Sequence, residues 1–202
     1  MQATARRATG AMIALTLAAG LTGCGIAPWA GQQNSTPSPT MTTPSAVPTP
    51  VSNDLSSGST QRTVKSGSVT ATVNYWSTLS MDRWKAGALK PISLSLTTTV
   101  DPNDGQKVYL QSATMTAIPQ GSNGETFPAL SPQSDTSTVP PGYLALSPYS
   151  YSQTFTIGEV PQGATSVQIQ FTYDFLVQTT PTSSEYAKQT GSDLLSVAIA
   201  QG

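Results

Sequence analysis

Few side chains in this 202-residue sequence are of a type that does chemistry, and their spacing narrows the field further. There is no histidine, so a Ser-His-Asp triad, a Cys-His pair and a histidine metal site are beyond the chain's own residues. The single cysteine, Cys24, has no second thiol with which to form an internal disulfide or a thiolate metal centre. The ten Asp and Glu residues are scattered, and no pattern singles out the two carboxylates a glycosidase needs. No Gly-x-Ser-x-Gly elbow, Ser-x-x-Lys pair, GxGxxG turn or P-loop occurs. One loop, Asp101-Pro102-Asn103-Asp104-Gly105, offers hard oxygen ligands, and Asp101, Asn103 and Asp104 would suit Ca²⁺ by chemistry. Its glycine stands fifth instead of sixth and no Glu stands twelfth, so it is not an EF-hand loop. A β-turn accounts for the same residues, and neither metal nor cofactor is expected.

Cys24 is better explained by what precedes it. Arg6 and Arg7 are followed by an apolar stretch from Ala8 to Leu21, then by small residues, the three parts of a secretory signal. At about 14 residues the stretch is too short for a membrane-spanning helix, which needs roughly 20. Leu21-Thr22-Gly23-Cys24 resembles the lipobox of bacterial lipoproteins. That resemblance implies cleavage before Cys24, a diacylglyceryl group on its thiol and a further acyl chain such as palmitate on the new amino group. Two or more chains make a stable anchor where one gives only marginal residence. The expected location is therefore the extracytoplasmic face of the cell membrane, with the membrane itself as a partner through Cys24. The adjacent arginines lack the bulky apolar residues that normally follow a twin-arginine motif, which favours general secretion.

After the cysteine the composition changes. Residues 24–62 are dominated by Ser, Thr and Pro, with Asp54 the only charge before Arg62, and cannot bury enough surface to offset their ordering entropy. A disordered tether is expected, reaching about 35 Å as a coil and about 115 Å fully extended. It reads equally as a plain spacer or as an O-glycosylated stalk. An Ala/Thr/Pro-rich lipoprotein with a Thr-Pro tether looks like those of actinobacteria.

Residues 63–202 carry the elements of a folded domain. Val69, Ala71, Val73 and Tyr75 alternate with polar residues, as do Ile92, Leu94 and Leu96 with serines. The stretch from Lys107 to Ile118 changes phase near Gln111 and Ser112, which predicts a bulge. A turn is expected at 119–124, a short edge segment at 126–130 and irregular chain at 131–149. Tyr151 to Ile157 and Val167 to Val177 read as a pair of strands joined by the turn Pro161-Gln162-Gly163, the second of them central to the core. Residues 183–189 suggest a helical turn ended by Gly191, before a last strand through Leu195, Val197 and Ile199. Seven or eight short strands without a long helix resemble, by pattern alone, an antiparallel β-sandwich of immunoglobulin-like or fibronectin type III-like kind. A jelly roll has the same pattern.

Charge excludes one partner class. Only 9% of residues are charged, against about 25% in typical domains. Two of the nine basic residues precede Cys24 while all ten acids follow it, so no basic stripe remains for nucleic acid. Four aromatics, Trp76, Trp84, Tyr143 and Tyr149, are the candidate partner surface; the competing reading places the two tryptophans as a plug at one end of the sandwich. The expectation is a non-enzymatic module that binds an envelope protein or polymer through its loops. The alternatives are an accessory subunit of a membrane complex and an enzyme using carboxylates alone.

Overall fold

The computed structural model describes residues 51–201. Leu21, Thr22, Gly23 and Cys24, with the tether up to residue 50, lie outside the described residues. In chain order the strands are β1 (Ser59–Ser66), β2 (Val69–Trp76), β3 (Lys90–Val100), β4 (Val108–Gly121), β5 (Gln133–Thr136), β6 (Tyr143–Leu144), β7 (Tyr151–Ile157), β8 (Ala164–Gln178) and β9 (Tyr186–Ala198). Period-two alternation does in them what strand geometry requires. Val69, Ala71, Val73 and Tyr75 of β2, Ile92, Leu94 and Leu96 of β3, and Val167, Ile169, Phe171, Tyr173, Phe175 and Val177 of β8 are all buried. Their neighbours in sequence face outward.

Burying those faces produces two antiparallel sheets packed against each other, with strand orders β1-β2-β3-β7 and β5-β4-β8-β9; β6 adds to β4. The interior is aromatic along β8, where Phe171 and Tyr173 stack with centroids 6.2 Å apart. Tyr75 of β2 and Phe155 of β7 reach Phe171 from the opposite sheet at 5.1 and 5.9 Å. Each fully buried ring contributes about 2–3 kcal/mol by area. The register of β4 on β8 shifts between Leu110 and Ser112, so Val108 and Leu110 point inward before the bulge and Ala113, Met115 and Ala117 after it. The phase change in the sequence is this bulge.

Side chains close both seams between the sheets. Along one, Gln189 of β9 accepts a hydrogen bond from the Val69 amide (3.3 Å) and donates to Ser68 Oγ (3.0 Å). Along the other, Gln133 of β5 imitates a strand: its amide donates to Thr156 O (2.5 Å) and its carbonyl accepts from Thr156 N–H (3.1 Å). Beside it the Tyr151 hydroxyl donates to Asp135 Oδ2 at 2.7 Å.

Several expectations are corrected. The boundary at residue 63 falls inside β1, and ordered packing starts earlier, with Leu55 buried and Asp54 paired with Arg62 at 2.8 Å. β7 and β8 are not partners; β7 pairs with β3, while β4 and β9 occupy both edges of β8. Residues 186–189 form strand instead of helix, because the edge of β8 offers β9 a thirteen-position ladder that outweighs local propensity. β4 runs on through Pro119 to Gly121. The segment at 126–130 does lie along the edge of β4, through one isolated bridge, Gln120 to Thr126, and hydrogen bonds from the Phe127 and Leu130 amides to the Pro119 and Ala117 carbonyls, whereas the 131–149 region holds two strands, β5 and the two-residue β6.

Gly191 marks a tight point of the first seam: a Cβ there would lie 2.8 Å from Val64 Cγ1 of β1. Gly191→Val should therefore destabilise the domain by about 2–3 kcal/mol through overpacking, read as a lowered urea midpoint at unchanged slope. An equal midpoint would mean that β1 and β9 are not in contact.

Candidate functional site

The four aromatics of the expected partner surface do not share a surface. Trp84 is wholly buried, which removes it from any exposed patch. It follows a single 3-10 turn, Met81–Arg83, whose N-cap position is Ser80 but without a side-chain cap bond. Its indole N–H donates to Ser77 Oγ at 3.1 Å and its carbonyl accepts from Ala200 N–H at 2.9 Å. Leu79 and Met81 pack on the same core. This tryptophan is the end plug. Tyr143 is half-buried, its ring 5.2 Å from Tyr151 and its hydroxyl 3.4 Å from Asp135 Oδ1. Tyr149 is 59% exposed, in the loop before β7. Trp76 alone stands on a sheet face, half-buried at the end of β2.

At 102–106 the side-chain hydrogen bonds close within the loop. Asn103 Oδ1 accepts from Gly105 N–H (3.1 Å), Gln106 Oε1 from Asp104 N–H (2.7 Å), and the Gln106 amide donates to Pro102 O (2.6 Å). Asp101 and Asp104 are exposed. Among the described residues no group of three or more Asp, Glu, His or Cys is placed to hold a metal ion.

What the register does bring together is the outer face of the β1-β2-β3-β7 sheet. One row across it reads Ser59, Trp76, Ser93, Thr154; the next reads Gln61, Asn74, Ser95, Ser152. Thr63, Thr72 and Thr97 form a third, and Lys65, Thr70 and Thr99 a fourth. Ser93 Oγ and Thr154 Oγ1 bond at 2.7 Å, and the Gln61 amide donates to Asn74 Oδ1 at 2.8 Å. Apart from Lys65 at the far end, these positions are uncharged. The sequence shows the alternating polar residues of each strand, but only the pairing shows that they line up around Trp76.

The titratable groups have structural partners. Lys90, fully buried at the start of β3, donates from Nζ to the carbonyls of Lys85, Ala86 and Ala88 at 3.2, 3.3 and 2.5 Å. Burial pulls its pKa down, and the Glu159 carboxylate opposes this. The loop it organises forms one wall of a cleft of about 450 Å³, closed on the other side by Ala164 and residues 199–201. On the second sheet's outer face, burial works against ionisation of Asp174, but hydrogen bonds from Thr190 and Lys188 hold its carboxyl below the ordinary range. Inside the core Tyr75 and Tyr173 share a 2.9 Å hydroxyl bond. Burial pushes both phenols well above the ordinary tyrosine range, and the Asp193 carboxylate adds to this. Asp193 Oδ2 is buried without a hydrogen-bond partner among the described residues.

No protein-family model matches this sequence, and no curated protein is significantly similar to it.

Two outcomes follow from these groups. Tyr75, Tyr151 and Tyr173 all have raised folded pKa values, so their neutral forms stabilise the fold fully below pH 10. Above it only the unfolded chain releases those protons, and stability should fall by about 1.4 kcal/mol per pH unit per tyrosine. Denaturant melts between pH 9 and 11.5 should show this fall, shallower in Tyr151→Phe; a flat profile would contradict the buried phenols. Lys90→Met strands three carbonyls without a donor and should cost about 2–4 kcal/mol, seen as a lower thermal midpoint.

Proposed function

We propose that the chain is a lipid-anchored envelope protein whose β-sandwich works as a non-enzymatic binding module on the extracytoplasmic face of the cell membrane. The observation that carries this is Cys24 directly after Leu21-Thr22-Gly23, with Leu55, the first core residue described, some distance downstream. The intervening segment, of roughly 30 residues, reaches up to about 95 Å when extended. Such a reach lets a domain sample the envelope while its acyl chains stay in the bilayer.

The strand order supports an immunoglobulin-like reading of the sandwich. With β2, β3 and β7 taken as strands A, B and E, and β4, β8 and β9 as C, F and G, the orders A-B-E and C-F-G agree with that plan, β5 lying beside C and no described strand standing in the place of D. β1 is then an addition in front of strand A. Domains of this architecture present loops and sheet faces to partners on a rigid frame, which suits a binder.

The reading is tested at its anchor. Wild-type protein expressed in a lipoprotein-processing bacterium should take up a fatty-acid label and partition with membranes, whereas Cys24→Ser should take up none and appear uncleaved or soluble. Continued labelling of the variant overturns the assignment of Cys24.

A further inference from the structure

We propose that the outer face of the β1-β2-β3-β7 sheet binds a neutral polysaccharide chain, with Trp76 as its stacking platform. The proposal rests on the envelope location above for where such a chain would be met, but its chemistry is that of the face itself.

Three features of the face point to this ligand. The first is the aromatic ring. Trp76 lies on an interior strand, held by β1 on one side and β3 on the other, so its position is set by the sheet and not by a loop. The indole is only partly exposed, and the part that reaches solvent offers an apolar surface against which the C–H groups of a sugar can lie. The register sets Pro91, two residues before Ser93 in β3, diagonal to it, and Leu89, 66% exposed, just beyond. The apolar part of the face is confined to this end.

The second feature is the array next to the ring. Gln61 and Asn74, adjacent to the Trp76 row, use one donor and one acceptor on each other. That bond leaves the Gln61 carbonyl as an acceptor and the Asn74 amide as a donor, side by side. Neighbouring sugar hydroxyls each donate and accept, and such a pair meets them with both functions. Beyond it the hydroxyls of Ser95, Thr72, Thr97 and Thr70 continue along the strands. From Trp76 to Thr70 is six residues, or about 20 Å of strand, room for several sugar units in line.

The third feature is charge. Lys65 is the one ionic side chain in the four rows, at the end remote from Trp76. A polyanion requires cations along its track. A protein partner requires a buried apolar centre of several anchors, where this face has one aromatic followed by rows of hydroxyls. The opposite outer face differs in both respects. There Asp174 and Lys188 form an ion pair at 3.1 Å, and the rings of Tyr109 and Tyr186 meet edge to face at 5.9 Å. Its aromatics are already partnered.

The test uses the full chain extracted from membranes in mild detergent and run through native gels containing dextran, mannan or arabinogalactan, with heparin as the charged control. At least one neutral polysaccharide should retard the protein, heparin should not, and Trp76→Ala should weaken the retardation at least tenfold. Asn74→Ala and Gln61→Ala, which leave the half-buried ring in place, should each weaken it several-fold, and Thr172→Ala on the opposite sheet should leave it unchanged. Absence of retardation by all three neutral polymers, retardation by heparin alone, or full retention in the Trp76→Ala and Asn74→Ala proteins would overturn the proposal. A fatty-acid label on the same preparation separates the two readings. Labelled protein that binds no polymer removes this inference and leaves the anchor, whereas unlabelled protein that binds removes the anchor and leaves the face.

Discussion

Two stacked open sheets have edges, and every edge strand carries backbone amides and carbonyls that must find partners or water. The rest of this domain depends on how that constraint is met. Gln133 supplies a false strand to β7, and Gln189 reaches from β9 to the β1-β2 turn. Amide side chains suit this because each offers one donor and one acceptor in the geometry of a peptide group. The seams thereby hold the two sheets in fixed register, and the aromatic interior along β8 can pack to a single arrangement. Gly191 belongs to the same solution: the absence of a side chain lets β1 come down onto β9.

This manner of closure also accounts for the composition. Hydroxyl and amide side chains do at the seams and on the sheet faces what ion pairs do on other domains, and only two ion pairs, Arg62–Asp54 and Lys188–Asp174, are formed among the described residues. Surface ion pairs contribute little to stability in any case. Where charge is buried, as at Lys90, three carbonyls surround it and the group acts as a fastening for the loop at 85–88. Stability then rests on burial and on neutral hydrogen bonds, which salt screens weakly.

The same physics divides what could be read in the sequence from what could not. β2, β3 and β8 were legible because one side of each is apolar at every second position, and the bulge at Gln111 and Ser112 because the phase of that pattern changes. The first half of β9 was not. Its inward positions are Gln189, Gly191 and Asp193, chosen for the seam, so no apolar alternation exists there to detect. β5 is hidden for the same reason, since Gln133 and Asp135 close the other seam. The pairing of β7 with β3 is a non-local choice between two sheets, to which proximity in sequence to β8 is a poor guide. Trp84 and Trp76 carry the same side chain in one short segment, and only the packing separates an end plug from a ring on an outer face. The candidate face became visible only with the register, because Gln61, Asn74 and Ser95 come from three strands.

The way the chain is fastened at Asp54 and Leu55 has a mechanical consequence. Leu55 is sunk in the core, Asp54 N–H bonds to Ser196 O at 2.8 Å, and its carboxylate engages both Arg62 and Ser196 N–H. Tension arriving along the preceding chain meets this clasp first, ahead of the β1-β2 ladder. If a polymer is gripped on β2 and β3 while the chain is pulled from the head of β1, the two forces act along neighbouring strands of one sheet. The ladder between them is then sheared, with its hydrogen bonds sharing the strain, instead of being peeled apart one at a time. A domain tethered at one end and grasped on that face would yield late under traction.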